Sequence, residues 1–99
     1  MALKWWHYCQ NNSGGNFYGP KHVVVQAVNG NMADATAENF AGVYFNGCVT
    51  GQDCGCCGDR WSPSWDSEGT EEPQVYDDAA VAGDDVLLVY ADGRTEGGK

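Results

Sequence analysis

Basic residues are what this chain has least of: five lysines and arginines stand against fourteen aspartates and glutamates, a net charge of −9 over 99 residues. Such a surplus repels phosphate backbones, so direct binding of DNA or RNA is not expected. It permits a basic protein partner, or imitation of nucleic acid by carboxylates, beside the plain role of keeping a surface solvated. Long apolar runs are absent as well. No stretch approaches the roughly 20 residues that cross a bilayer as a helix. Trp5, Trp6, His7 and Tyr8 lead directly into Asn11 and Asn12, without the basic start, apolar run and cleavage site of a signal peptide. The expected setting is intracellular and away from membranes. In a reducing compartment, clustered cysteines serve as metal ligands or redox groups rather than structural disulfides, and the odd count of five agrees.

The length suits one domain, and fourteen glycines leave much of the chain as loop, so the core must be small. A metal or cross-link would then matter to stability. We expect a single domain over residues 1–94, with a cysteine-rich loop at 46–61 and a frayed tail at 95–99.

Lys4 to Gln10 (KWWHYCQ) alternates in the manner of a strand, with Trp5, His7 and Cys9 on one face and Trp6 and Tyr8 on the other. His22 to Val28 (HVVVQAV) reads as a second, β-branched strand, antiparallel to the first across a long loop. Asn31 is the expected N-cap of a short helix, Asp34 favours its positive end, and Met32, Ala33, Ala37, Phe40 and Ala41 give an apolar stripe that ends at Gly42. Val43 to Phe45 should pack at the core edge before Asn46-Gly47 turns the chain. Gln74 to Tyr76 could be a brief edge strand. Val86 to Tyr90 (VLLVY) is the clearest buried strand, and Asp77 to Asp85 reads as an acidic connector. The fold class is therefore α+β: a small antiparallel sheet of three to four strands, one helix packed on it, and a cysteine-rich zinc-knuckle loop.

The chemistry concentrates in "DCGCCGDRW", residues 53 to 61. Cys54 and Cys57 bracket two residues and precede Gly58, a knuckle in which two thiolates converge on one cation. No second pair of this kind exists, so the other ligands must be gathered singly. Cys48 is the expected third. Cys9 is the expected fourth, since it would tie the first strand to the knuckle across a long loop, with Cys56 and His7 as alternatives. The implied cofactor is structural zinc. A thiol redox role for Cys54 and Cys57 is less favoured, because no helix follows the knuckle and Asp53 and Asp59 would raise a neighbouring thiol pKa. No nucleophile, base and acid group together in the sequence, so an enzyme is not expected. Arg60 could offset the charge of a thiolate centre and Trp61 could cover its apolar side. Alternatively Arg60, Trp61 and Trp65 could form a partner-binding hot spot.

Two stretches together carry a resemblance: "HYCQNNSGGNF" at 7–17 and "YFNGCVTGQDCGCCGDRW" at 44–61. They resemble a family of small tailed-bacteriophage proteins that pair an N-N-S-G-G-x-F segment with a later D-C-x-C-C-G-D-R-W segment. The resemblance implies a phage-encoded acidic accessory protein in the host cytoplasm that binds and modulates a host protein, such as a defence or transcription component. A minor virion component is one alternative. An acidic inhibitor that imitates DNA, using carboxylates at Asp77 to Asp85 and Glu68 to Glu72, is another.

Overall fold

The computed structural model describes residues 3–10, 20–45, 47–51, 58–64, 68–75, 78–83 and 85–98. Its centre is a four-stranded sheet of β1 (Lys4–Cys9), β2 (His22–Ala27), β5 (Val86–Val89) and β6 (Thr95–Gly97), in the order β1-β2-β5-β6. α1 (Gly30–Phe40) and a four-residue helix, α2 (Gly47–Thr50), follow β2. β3 (Gln74–Val75) and β4 (Asp78–Ala79) pair with each other before the chain re-enters the sheet.

The sheet is mixed, not antiparallel throughout. β1 and β2 form the expected antiparallel pair, with Trp5 opposite Gln26 and Cys9 opposite His22. β5, however, lies parallel to β2, with Val23 opposite Leu87 and Val25 opposite Val89. Two parallel strands need a long crossover, and the segment that contains α1, α2, β3 and β4 supplies it.

Both faces of the sheet are covered, which explains why the run Val23, Val24, Val25 has no polar member. On one face Trp6, Tyr8, Val23, Val25, Leu87 and Val89 pack against Ala33 and Ala37 of α1, with Val43 and Trp61. On the other, Trp5, Val24 and Leu88 pack under Val75, Ala80, Ala82 and Tyr90. Each valine is fully buried, worth roughly 1.5–3 kcal/mol per side chain against exposure.

The helix begins two residues before the expected position. Asn29 is the N-cap, and its side chain accepts a hydrogen bond from the Met32 N–H at 2.8 Å. Asn29 and Asn31 are both good caps, and the bond to the third helical residue decides between them. Gly42 adopts φ 69° just past the C-cap, as the sequence suggests. Of the apolar stripe, Ala33 and Ala37 are buried but Met32 and Phe40 are more than half exposed.

Two further expectations are corrected. Residues from 95 do not simply fray: Thr95–Gly97 form β6, antiparallel to β5, beyond the turn in which Gly93 N–H bonds to the Tyr90 carbonyl. The acidic connector also contains structure, since Asp78 and Ala79 pair with Val75 and Gln74. Among the described residues no helix is long and apolar enough to cross a membrane.

Candidate functional site

The flanks of the cysteine-rich loop are anchored by polar contacts. The Asp59 carboxylate accepts the backbone N–H of Cys48 at 2.9 Å, which joins positions eleven residues apart. Next to it, Arg60 is buried at 5 % exposure. Its Nη1 donates to Gln10 Oε1 at 2.5 Å and its Nε to the Tyr44 hydroxyl at 3.2 Å. A buried guanidinium is costly without acceptors, so these bonds fix where the loop returns to the sheet. Cys54, Cys56 and Cys57 lie outside the described residues, as does Trp65.

Cys9 and Cys48, the two described cysteines, are half-buried thiols. By strand alternation Cys9 belongs with Trp5 and His7 on one face of β1, and Gln10, which meets Arg60, follows the opposite alternation. Cys9 faces His22 across the ladder. The His7 and His22 rings meet at 2.9 Å between Nε2 and Nδ1. Burial, then the neighbouring His22, lowers the His7 pKa to about 4. Burial and Lys21 also lower that of His22, against an opposing pull from Asp85. Among the described residues no three His, Cys, Asp or Glu side chains group to hold a metal.

Arg60 and Trp61 do not form an exposed hot spot. Trp61 is 3 % exposed and sits in the core against the helix-bearing face of the sheet. The alternative of an exposed Arg60–Trp61 hot spot is not met at these two residues, because the Gln10 and Tyr44 acceptors allow the pair to go inside. Asp34 is likewise redirected. Its Oδ1 accepts from the Tyr8 hydroxyl at 2.6 Å and from the Ser64 N–H at 2.9 Å, so it clamps α1, β1 and the 61–64 segment together. Burial, followed by this bond to Asp34, pushes the Tyr8 phenol pKa up.

Described residues line two concavities on the surface. One, of about 250 Å³, lies at the outer edge of β1 between Trp5, Trp6 and His7 and the crossing segment with Pro63, Ser64, Glu68, Thr70 and Gln74. Its wall is fixed by two backbone bonds of 2.8 Å between Trp5 and Thr70. The other, of about 150 Å³, is a groove between α1 and the ends of the sheet strands, rimmed by Leu3, Val28 and Met32 over Ala27 and Thr36. All three rim residues are exposed. Gln26 Oε1 accepts the Ala91 N–H at 3.2 Å and closes one end of it. Sequence reading could not find either concavity, because each is made by segments far apart in the chain.

No curated protein and no solved structure matches the chain. Residues 3–98 match the profile of a family described as a domain of unknown function, DUF7296, and the chain therefore belongs to that family.

Proposed function

We propose that the protein is a phage-encoded, non-enzymatic binding module, held in shape by zinc at its cysteine-rich loop, that engages a protein of the bacterial host. The apolar groove carries this reading. Leu3, Val28 and Met32 stand exposed around one depression on a chain of net charge −9, and clustered apolar side chains on a highly charged surface mark sites of protein contact. The phage origin rests on the two sequence motifs. The zinc is supported by the knuckle spacing of Cys54 and Cys57 and by the bond between Cys48 and Asp59, which brings the ends of that loop together. Cys48, Cys54 and Cys57 would be ligands, with the fourth from Cys9, Cys56 or His7. Zinc there would supply cross-linking rather than catalysis.

Imitation of DNA is less well supported. Among the described residues the exposed carboxylates are dispersed: Glu38 lies on α1, Glu68, Glu71 and Glu72 flank Thr70 beside β1, Asp85 precedes β5, and Asp92 and Glu96 belong to the β5–β6 hairpin.

Elemental analysis of protein purified without chelator should give about one zinc per chain, and chelation should lower its melting temperature. Metal-free protein with unaltered melting would overturn the zinc. For the partner, affinity capture from host lysate should retain a protein on the native chain and lose it on Met32→Glu. Retention by both chains, or by neither, would overturn the groove as the binding face.

A further inference from the structure

We infer that the cleft at the edge of β1 is a binding site for a small organic cation, a protonated primary amine. This goes beyond the binding of a host protein, since the cleft involves neither the apolar groove nor the cysteine-rich loop.

The cleft is a built feature. Thr70 exchanges both backbone hydrogen bonds with Trp5, and Gly69 lies so close to β1 that an added Cβ would stand 2.8 Å from Lys4 Cβ and 2.9 Å from the Trp5 carbonyl oxygen. The crossing segment therefore holds a set distance from the strand. The volume of about 250 Å³ falls below the usual range for drug-sized ligands, roughly 300–1,000 Å³, so the occupant is small.

Its lining selects the sign of charge. Among the described residues that line it there is neither lysine nor arginine, and Glu68 is the carboxylate. An anion would meet that carboxylate and a chain of charge −9, so the electrostatics oppose it. A cation is drawn in by both.

The remaining groups suit an ammonium on a short carbon stem. Glu68, the Gln74 amide and the Thr70 hydroxyl offer oxygen acceptors to its N–H donors. Trp6 borders the cleft with its indole, whose Cε2 would stand 3.1 Å from a Cβ at Gly69; indole is the aromatic side chain that attracts cations most strongly and is also an apolar surface for the stem.

The test is an NMR titration of the full chain with n-butylammonium chloride, following the indole N–H signal of Trp6. Sodium chloride at equal ionic strength and sodium butyrate serve as controls. A saturable shift of that signal with butylammonium alone is expected. Glu68 is exposed, so Glu68→Gln should fold normally, and its affinity should fall about tenfold. Three results would overturn the assignment: no saturable shift, the same shift from butyrate or sodium chloride, or unchanged affinity in Glu68→Gln. None of them bears on the zinc or the apolar groove, because those tests read different residues.

Discussion

His7 and His22 share a hydrogen bond of 2.9 Å between Nε2 and Nδ1, with their ring centroids 5.0 Å apart on neighbouring strands. One ring must donate and the other accept, so two imidazolium ions cannot make this bond. Both pKa values are lowered in the fold, that of His7 to about 4, with burial as the main cause in each. In the unfolded chain both rings take up protons near pH 6.5. The unfolded state therefore binds more protons than the native state between these values. Stability attributable to the pair is fully present above about pH 6.5 and is lost as pH falls towards about 4. Urea unfolding at a series of pH values should show this slope, and the double variant His7→Asn, His22→Asn should have less of it. Equal slopes for the two proteins would refute the assignment.

Gly69 is held by contact, not by backbone conformation. A Cβ there meets the Lys4 side chain and the Trp5 carbonyl oxygen inside 3.0 Å. The carbonyl is committed to Thr70 and cannot swing aside without breaking the bridge. Gly69→Ala should cost about 1–3 kcal/mol, the usual range for overpacking, and should accelerate amide exchange at Thr70. A loss within roughly 0.5 kcal/mol, typical of a surface change, would show that the segment yields easily.

Asp34 joins three elements through one oxygen. Asp34→Ala removes the acceptor for both the Tyr8 hydroxyl and the Ser64 N–H, and stranding such donors costs about 1–3 kcal/mol. Asp34→Asn keeps an oxygen at the same position and should lose clearly less. Denaturation midpoints of the two variants provide the comparison; equal losses would mean that the carboxylate's charge, not its role as acceptor, is what the fold requires.

What is legible in the sequence follows from local rules. β1 and β2 can be read because Trp6 and Tyr8 alternate with Trp5 and His7, and because three successive valines have few other uses. The helix is legible from Ala33, Ala37 and Gly42. The parallel pairing of β2 with β5 is not, since Val86 to Val89 looks the same whichever neighbour it joins and the choice is made by the crossover. The β1-edge cleft depends on a bridge between Trp5 and Thr70, 65 residues apart in the chain, and no local pattern signals that. Arg60 is hardest to anticipate. A charged residue is normally exposed, and its burial makes sense only once Gln10 and Tyr44 are found beside it.

That burial leads to a test of how the cysteine-rich loop is held. Gln10→Leu takes one acceptor from a guanidinium that remains inside, and should cost about 1–3 kcal/mol. Arg60→Met removes the charge while a side chain of similar length still fills the space, but strands the Gln10 amide oxygen. If the two residues support each other, the double variant should lose less than the sum of the single losses, with a coupling of about 0.5–3 kcal/mol. Urea denaturation of the four proteins measures it, and strictly additive losses would dismiss the pairing. Arg60 directly follows Asp59, whose carboxylate holds the Cys48 N–H. Loosening the guanidinium should therefore also speed alkylation of Cys48 in the folded protein, detectable by mass spectrometry of the labelled peptide. Unchanged labelling in Gln10→Leu, despite a measured loss of stability, would mean that the Arg60 anchor and the closure at Cys48 act independently.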